Sequence, residues 1–525
     1  MTVFQTWAAR QPDAPALIAA ETGEILRFGA LNQQVQATAR ALVSLGLAPG
    51  DGIALLMENR FELIVLGLAA RQAGLYFTPI STHLAAPEVA YILKDSGARA
   101  VFVSRACAAL LPEPADRQGV PCFAVDEGVA ETVAGCSPWQ QALARAAASG
   151  PAHLDWDQRP LGRDLLYSSG TTGRPKGVRR TLTPATERHQ LEAEVQAWQK
   201  MYFFDEHSVY LSPAPLYHAA PLRFVLRTLE VGGHAVIMAK FAPEAALALM
   251  ARHRVTHSQW VPTMFTRLLQ LPLEVRQRYD LRALRMAVHA AAPCPVPIKQ
   301  AMLDWWGDVL YEYYAGSESV GTTFITSQEW RKHPGSVGRV LSGQLHIVGD
   351  DGQELPPGEV GRIYFSGGQS FEYLNDSGKT RDAYNDKGWA TYGDIGHVDA
   401  EGYLYLSDRR ADLILAGGVN VYPQEIENVL NTHPAVADAA VVGVPDADFG
   451  EVPKAVVCLR PGHAPDQALA DAIGRFSSER LARLKLPRTI VFAEQLPRLE
   501  TGKLLRRVLK DQFKNDPDSG FRVQR

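Results

Sequence analysis

Apolar and polar positions alternate in blocks along most of the chain. Apolar runs at 52–57, 75–80 and 99–104 predict buried strands, and amphipathic stretches at 61–73 and 87–96 predict the helices between them. The same alternation predicts later elements: strands at 233–238, 256–261, 284–290 and 308–313, and helices at 243–253 and 297–306. Strand–helix–strand order with short connections is typical of an α/β protein with doubly wound parallel sheets.

The pattern changes twice towards the end of the chain. Residues 335–407 are Gly-rich, with short strand-like runs between turn signals, which predicts an antiparallel β subdomain. Beyond Asp408 a mixed order predicts a small α+β unit, with helices at 423–431 and 466–483 and strands at 435–444, 453–459 and 488–493. We therefore expect an N-terminal domain over 1–408, with 335–407 as its β-rich part, and a C-terminal domain over 409–525. Its last dozen residues are expected to fray.

Composition excludes several classes of protein. The 53 Lys and Arg nearly balance the 57 Asp and Glu, so no basic surface for nucleic acid is indicated. No apolar run reaches the ~20 residues of a membrane span, and the first residues lack the pattern of a signal peptide. The five cysteines form no CxxC pair, which argues against a disulfide framework or a zinc cluster and favours the cytoplasm.

The strongest chemical signal is the string LLYSSGTTGRPKGV at 165–178. Glycines allow close backbone approach, and Ser and Thr supply donors, so such a loop can wrap phosphate oxygens while Lys176 adds a positive charge. The string lacks the Gly-Lys-Ser/Thr that closes a P-loop. A Gly/Ser/Thr cluster is ordinarily a surface loop, but this ordered string favours phosphate binding.

The string resembles the phosphate-loop signature of the adenylate-forming (AMP-binding) superfamily. That superfamily includes acyl-CoA synthetases, coumarate-CoA ligases, beetle luciferases and the adenylation domains of peptide synthetases. The resemblance extends from LLMENR at 55–60 to Lys503 and is greatest to the acyl-CoA synthetase and aryl-CoA ligase branch. It implies nucleotide contacts from Ser168, Ser169, Gly170, Thr171, Thr172, Gly173 and Lys176.

Three further motifs carry the resemblance in the central part of the chain. In APLYHAAP, His218 resembles the histidine beside the carboxylate and acyl chain, although most histidines are simply satisfied loop residues. In YAGSE, the resemblance implies that Tyr314 stacks on adenine, Ser317 lies beside the phosphates and Glu318 binds Mg²⁺. HAAAP matches the stretch along the adenine and acyl pocket, which implies nucleotide contacts from Ala292 and Pro293 and substrate contacts from His289, Ala290 and Ala291.

The last motifs lie around the expected domain boundary and beyond. YGDIG resembles the family's TGD motif, with Asp394 binding the ribose hydroxyls. The resemblance also implies that Arg409 contacts the nucleotide and that Gly417 and Gly418 line a tunnel for the CoA thiol. PRLETGKLLR resembles the C-terminal motif of the adenylation lysine, here Lys503. The usual hinge residue is Asp or Lys, and the corresponding residue here is Ala411.

The resemblance implies two half-reactions on one site. The carboxylate of an acid attacks the α-phosphate of ATP, pyrophosphate leaves, and the acyl-AMP then reacts with a thiol after the C-terminal domain rotates. The attack brings two anionic groups together, so the site needs positive charge and oriented donors. We expect Lys503, His218 and Glu318 to be the catalytic residues, with Mg²⁺ as cofactor and ATP and CoA as co-substrates.

The residues that follow His218 indicate which acids the site can accept. Amino-acid-activating relatives place an Asp where this chain has Ala219, and a buried ammonium group without a partner is costly. Small side chains at Ala219, Ala220, Ala290, Ala291 and Ala315 leave room for a fatty, aromatic or ring-fused acid, with Phe224, Trp260 and Met264 as apolar walls. Close packing of helices and strands would explain the alanines equally well.

The acceptor is expected to be CoA. Only 22 residues follow Lys503, too few for a carrier-protein domain, so the acyl group must pass to a separate acceptor. The alternative is an acyl-AMP ligase that serves a separate carrier protein. An inactive nucleotide-binding relative is disfavoured because Lys503, Glu318 and Asp394 are all present. Expected partners are ATP, CoA and the acid, without nucleic acid or a membrane span, and a homodimer is left open.

Overall fold

A computed structural model describes residues 3–117, 119–148, 154–168, 175–409, 412–416, 419–446, 448–499, 502–514 and 516–523. The chain divides into two compact units. The first contains Met1–Trp260, Leu271–Val288 and Gln369–Asp382, and the second contains Val261–Gln270, His289–Gly368 and Ala383–Arg525. Among the described residues, no helix is both long enough and apolar enough to cross a membrane.

The helices are short to medium in length. In chain order they are α1 (Val3–Arg10), α2 (Phe28–Ser44), α3 (Phe61–Ala73), α4 (Ala86–Ser96), α5 (Trp139–Ala148), α6 (Gln190–Tyr202), α7 (Ala219–Glu230) and α8 (Pro243–Arg252). They continue with α9 (Pro262–Leu269), α10 (Leu273–Gln277), α11 (Val296–Trp306), α12 (Ser327–Lys332), α13 (Ser377–Asp382), α14 (Pro423–Leu430), α15 (Gln467–Ser478) and α16 (Arg506–Phe513).

The strands are mostly of three to six residues. Those before residue 261 are β1 (Pro15–Ala19), β2 (Ile25–Arg27), β3 (Gly52–Leu56), β4 (Tyr76–Pro79), β5 (Ala98–Val103), β6 (Cys122–Ala124), β7 (Cys136–Pro138), β8 (Arg163–Asp164), β9 (Leu166–Ser168), β10 (Lys176–Arg179), β11 (Val209–Ser212), β12 (His234–Ile237) and β13 (His257–Trp260). Those that follow are β14 (Met286–His289), β15 (Leu310–Tyr314), β16 (Thr322–Ile325), β17 (Arg339–Ser342), β18 (Gln344–Val348), β19 (Gly361–Ser366), β20 (Glu372–Tyr373), β21 (Asp394–Val398), β22 (Leu404–Arg409), β23 (Ile414–Ala416), β24 (Val419–Val421), β25 (Val436–Asp446), β26 (Gly450–Leu459), β27 (Thr489–Phe492) and β28 (Phe521–Arg522).

The first unit is built on parallel sheets. One sheet has the order β7-β6-β5-β3-β4-β8, and all its pairs are parallel. A second run of strands has the order β13-β11-β12-β1-β2, parallel except for β2. All five residues of β3 are buried, as expected for a parallel strand covered on both faces. A small antiparallel sheet, β20-β10-β9, completes the unit.

The second unit is mainly antiparallel. The sheet β18-β19-β21-β22 is antiparallel throughout, as are β15, β16 and β17. The end of the chain forms a mixed sheet, β24-β23-β26-β27-β28, with β25 paired to β26. Its core includes Ile426, Val441, Val457 and Ile473. Parallel doubly wound sheets, an antiparallel β part and an α+β end agree with the expected fold class.

The structure corrects two expectations. The first is the absence of disulfides: Cys122 and Cys136 form one, with Cα atoms 4.5 Å apart. The parallel register of β6 and β7 places these residues side by side, which their 14-residue separation along the chain did not reveal. The second is the frayed end: β28 pairs with β27, and buried Lys454 donates from Nζ to the carbonyls of Pro517, at 2.9 Å, and Ser519.

Candidate active site

The strands on either side of the predicted phosphate loop pair with each other in the first unit. Strand β9 pairs antiparallel with β10, so that Ser168 faces Lys176 and Leu166 faces Val178. We call the paired strands β9 and β10 the phosphate hairpin. The predicted contacts at Ser169, Gly170, Thr171, Thr172 and Gly173 fall outside the described residues, as does the side chain of Ser168.

The sides of the phosphate hairpin are fixed by side-chain contacts. The Tyr167 hydroxyl donates to Oδ2 of Asp95 at 2.7 Å, and Asn375 donates from Nδ2 to the Asp95 carbonyl at 2.8 Å. The Nζ of Lys176 lies 4.9 Å from the ring centroid of Tyr373 in β20. A cation over an aromatic face is attracted by the ring. The lysine is therefore oriented at the point where the hairpin leads into the predicted loop.

The base of the hairpin is closed by a buried carboxylate. Arg180, which follows β10, donates from Nη2 to both oxygens of Asp164 at 3.2 Å, and Arg223 of α7 donates to Oδ2 at 2.7 Å. Burial acts to raise the pKa of Asp164, but the charges of Arg223 and Arg180 outweigh it and hold that pKa well below its usual value. Burial and repulsion by Arg223 lower the pKa of Arg180 to about 9. At neutral pH Asp164 and Arg180 are therefore both charged.

Helix α7 carries the predicted acid contacts of the first unit, and we call it the acyl helix. His218 precedes its first turn with extended backbone, and Ala219 and Ala220 are half-buried at its start. Phe224 is buried in an aromatic cluster, 5.4 Å from Trp198, 5.1 Å from Tyr202 and 5.8 Å from Tyr210 between ring centroids. The structure thus gathers His218, Ala219, Ala220 and Phe224 on one element.

In the second unit, Tyr314, Glu318 and Asp394 lie close together. The Tyr314 hydroxyl donates to Oδ2 of Asp394 at 2.6 Å. The Tyr392 ring lies 5.5 Å from that of Tyr314, edge to face, and its hydroxyl donates to the Gly321 carbonyl at 2.8 Å. Glu318 and Asp394 are both buried. Strand ends from two different sheets therefore meet at this cluster.

Two features explain how this cluster packs. A Cβ at Gly316 would lie 2.4 Å from the Tyr392 ring and 2.6 Å from Oε2 of Glu318, so only glycine fits there. Burial raises the pKa of Tyr392 to about 12, with a further contribution from the Glu318 carboxylate, against hydrogen bonds from backbone N–H groups that lower it. Tyr392 therefore remains a protonated donor. The departure from the family's threonine at this position is a structural one: the larger ring fills space beside Tyr314.

His289, predicted as a substrate contact, is completely buried at the end of β14. Its Nε2 lies 3.5 Å from Oε2 of Glu312, which also accepts from Nζ of Lys299 at 2.5 Å. Burial and the charge of Lys299 hold the pKa of His289 well below its ordinary value, so the ring is neutral. The loop that follows contains Ala290, buried, and Ala291, whose φ of 77° is unusual for a residue with a side chain.

The predicted catalytic lysine lies where two described segments, 498–499 and 502–504, pair with each other, and we call these two segments the lysine hairpin. Arg498 and Leu504 form a bridge, and the N–H of Leu499 donates to the Lys503 carbonyl at 2.9 Å. Arg498 binds both carboxylate oxygens of Asp438, at 2.8 and 2.9 Å. Gly502 has φ of 77°, and a Cβ there would lie 2.7 Å from Oγ1 of Thr263 at the start of α9. The lysine hairpin thus packs on α9 within the second unit.

The remaining predicted contacts are described in part. Ser317 and Ala315 are half-buried beside Tyr314, and Ala292 and Pro293 continue the loop after His289. Arg409 pairs with Asp394 in the register of β21 and β22, although its side chain is not described. Gly417, Gly418 and Ala411 lie outside the described residues. Among the residues that are described, no three His, Cys, Asp or Glu side chains form a metal cluster.

Sequence reasoning missed the buried charges that support these segments. Lys299 and Glu312 lie in the apolar runs VPIKQAML and LYEYY, and a charge inside a buried run is a signal that could have been used. Asp164, Arg180 and Arg223 carried no such signal, because each lies at the end of an element or on a partly polar helix. Only the fold brings them together.

Two family profiles match this chain. The one described as AMP-binding enzyme matches residues 4–373, and the one described as AMP-binding enzyme C-terminal domain matches residues 425–503. The first match alone covers more than half of the chain. The protein therefore belongs to the AMP-binding enzyme family, as the resemblance of its motifs predicted.

Relatives match along nearly the whole length. The long-chain-fatty-acid–CoA ligase FadD13 of Mycobacterium tuberculosis is 32% identical over 514 residues, 97% of this chain and 98% of the relative. A 3-[(3aS,4S,7aS)-7a-methyl-1,5-dioxo-octahydro-1H-inden-4-yl]propanoyl:CoA ligase of the same species is 34% identical over 519 residues, 95% of this chain and 96% of the relative.

A solved structure shares the fold. The o-succinylbenzoate CoA synthetase (MenE) from Bacillus subtilis, in complex with its acyl-adenylate intermediate OSB-AMP, has a TM-score of 0.78 at 25% identity and covers 100% of this chain and 99% of its own. The predicted fold class is confirmed by this likeness. The predicted class of enzyme, an AMP-forming acid–thiol ligase, is confirmed by the relatives.

Proposed function

We propose that the protein is an ATP-dependent carboxylate–CoA ligase. It forms an acyl-AMP with release of pyrophosphate and then an acyl-CoA thioester with release of AMP, on a bulky acid that is not an amino acid. The observation that carries the proposal is the hydrogen bond from Tyr314 to Asp394 beside the buried carboxylate of Glu318. An aromatic face, a ribose acceptor and a hard-cation ligand are the groups that an adenine nucleotide with its metal requires.

The nucleotide roles follow from that cluster. Asp394 accepts hydrogen bonds from the ribose hydroxyls, and Tyr314, held by Asp394, presents its ring to the adenine. Glu318 would hold Mg²⁺: a single carboxylate fits this hard cation when phosphate oxygens supply other ligands, and the bound ion would neutralise phosphate charge. Lys176 and the loop at 169–173 surround the phosphates. Ser317, Ala292, Pro293 and Arg409 complete the predicted contacts.

Lys503 supplies positive charge for the first half-reaction. The attack of a carboxylate on a phosphate joins two anions, and a preorganised ammonium group stabilises the charge that develops. The tight lysine hairpin on α9 supports this role, because the backbone on both sides of Lys503 is hydrogen-bonded. We further propose that the C-terminal domain, 409–525, rotates about the segment near Ala411 and presents Gly417 and Gly418 to the CoA thiol.

The acid is proposed to lie along the acyl helix. His218 borders its carboxylate, and the small side chains of Ala219 and Ala220 leave room for a wide group. Ala290, Ala291 and Ala315 have the same proposed role. Relatives named for a long-chain fatty acid and for a ring-fused propanoate support a bulky apolar acid. A cytoplasmic location and a homodimer remain predictions.

The test is release of pyrophosphate from ATP and Mg²⁺ with a panel of acids, each with and without CoA. The panel spans short, medium and long fatty acids, benzoates, cinnamates and a ring-fused acid, with the Asp394→Asn variant as a control for nucleotide binding. Turnover that requires CoA and a bulky acid supports the proposal. Release in a single burst that CoA does not change would favour the carrier-protein alternative, and release with none of the acids would contradict both.

A further inference from the structure

The carboxylate of Asp164 joins two elements of the proposed site in the first unit. It lies in β8, two residues before the phosphate hairpin begins, and accepts from Arg180 directly after that hairpin ends. The same carboxylate accepts from Arg223, one turn inside the acyl helix that begins at Ala219. One side chain thus ties the base of the phosphate hairpin to the helix proposed to hold the acid.

This contact is shielded from water and charge-assisted. The side chain of Asp164 is 12% exposed, that of Arg180 8% and that of Arg223 29%. Hydrogen bonds between ionised groups are short and strong, and low exposure weakens their screening. A cluster with two guanidinium groups on one carboxylate resists separation of any member, because moving either arginine exposes unpaired charge.

Arg223 contacts Asp164 through a single nitrogen. Its Nη2 donates to Asp164, while its Nε is buried without a hydrogen-bond partner in the described part of the chain. Arg227, one turn further along the same helix, instead binds Glu230 at 2.9 Å and Glu194 at 3.0 Å. The acyl helix therefore has one arginine that reaches Asp164 at the base of the phosphate hairpin and one that binds within the helix and to α6.

We propose that Asp164 and Arg223 are positioning residues that hold the acyl helix in register with the phosphate hairpin, so that the carboxylate of the acid meets the α-phosphate of ATP. This inference rests on the proposed function. Two substrates bound by different elements react only if those elements are aligned, and a misplacement of about 1 Å can lower the rate on the order of 10²-fold. The acyl-AMP, in contrast, is a single molecule. Its reaction with CoA no longer depends on the alignment of two separate ligands.

Comparing the rates of the two half-reactions therefore distinguishes a positioning role of Arg223 from a general loss of stability. In the Arg223→Met variant we expect acyl-AMP formation, measured in single turnovers with the best acid of the panel, to fall by about 10–100-fold. We expect the KM values for ATP and acid to change by less than about threefold, because each substrate keeps its own contacts. Thioester formation from supplied acyl-AMP and CoA should stay within about twofold of wild type.

The matched control is Arg227→Met, which removes an ion-paired arginine from the same helix without touching the hairpin. It should leave acyl-AMP formation within about twofold of wild type. Arg223→Lys guards against misfolding of the methionine variant. A lysine can replace a contact made through one nitrogen, so this variant should recover most of the lost rate.

Several results would overturn the inference while leaving the proposed function intact. These are equal losses in both half-reactions of Arg223→Met, equal losses in Arg223→Met and Arg227→Met, or an Arg223→Lys variant as slow as Arg223→Met. If wild type forms no acyl-AMP with any acid, the proposed function fails first and the inference falls with it.

Discussion

The two hairpins that carry the predicted phosphate-site lysines are closed in the same way but at different depths. An arginine binds an aspartate at the base of each: Arg180 and Asp164 below the phosphate hairpin, Arg498 and Asp438 below the lysine hairpin. The first pair is 8% and 12% exposed and shares its carboxylate with a second arginine. The second pair is 23% and 32% exposed and forms a two-point contact, with Oδ1 of Asp438 also accepting from the N–H of Ala439.

The difference matches what each hairpin would have to do. A desolvated, three-membered cluster fixes the base of the phosphate hairpin, as a phosphate site used in both half-reactions would require. The more exposed pair, in higher dielectric, contributes only ~0–1 kcal/mol to stability, so it holds the lysine hairpin less firmly. Under the proposed function, Lys503 leaves the site after the first half-reaction because the C-terminal domain rotates. Arg498 and Asp438 both lie in that domain, so the pair would move with the lysine and need not break.

The largest effect is expected from the lysine hairpin. Lys503→Ala should lower acyl-AMP formation by about 10²–10³-fold, because one preorganised charge is lost from the transition state. Thioester formation from supplied acyl-AMP should survive. Both rates are measured in single turnovers, with Lys514→Ala, an exposed lysine of the same region, as the control. Acyl-AMP formation at a near-normal rate in Lys503→Ala would contradict the proposed role of Lys503, and with it the comparison of the two hairpins.

The two base pairs should differ in their contribution to stability. Asp164→Asn leaves two arginines without a counter-charge and should lower the free energy of unfolding by about 2–3 kcal/mol at pH 7. Asp438→Asn should lower it by no more than about 1 kcal/mol. Urea unfolding of both variants beside wild type tests this. Equal losses would show that depth of burial does not distinguish the pairs.

The same pair of variants gives a pH dependence. The pKa of Asp164 in the fold lies below its ordinary value of 3.8, so ionisation of this group stabilises the protein at pH values above 3.8. That contribution is lost as pH falls through the pKa of the folded state. The difference between wild type and Asp164→Asn should therefore be constant between pH 5 and 7 and shrink below pH 3.8.

The smallest effect is expected from the lysine of the phosphate hairpin. Lys176→Met should raise the KM for ATP about tenfold, equivalent to about 1.4 kcal/mol, because one charge near the phosphates is lost while the loop donors remain. Tyr373→Phe keeps the ring beneath the ammonium group and serves as the control. An unchanged KM for ATP in Lys176→Met would mean that Lys176 does not have the phosphate-site role predicted for both Lys176 and Lys503.

Most of the local structure could be predicted from the chain. The apolar run at 52–57 is strand β3, and the amphipathic stretch at 61–73 is helix α3 with the same bounds. Helix α3 is buried on almost all sides rather than amphipathic, so its length of 13 residues, and not a polar stripe, distinguishes it from the five-residue strand. The tail at 521–522 was missed because its pairing with β27 depends on a distant partner, not on its own composition.

The candidate site, like the fold, could be predicted from the sequence only in part. Motifs predicted Tyr314, Glu318, Asp394 and Lys503 as site residues, and the structure brings the first three together, while the roles of all four remain predictions. The supporting contacts could not be predicted in this way. Glu312 and Lys299 are 13 residues apart, and Asp164 and Arg223 are 59 apart, so only the packing of strands and helices brings them within hydrogen-bond distance.

The sequence alone therefore determined the family and the order of most elements, since these depend on residue type and short-range periodicity, and it predicted the chemical groups of the site. The tertiary structure alone decided which charges share a carboxylate, which cysteines meet, and that His289 is buried rather than open. Those outcomes depend on sheet order and register. Sheet order and register arise from contacts between residues far apart in the chain. Local sequence patterns do not contain information on such contacts.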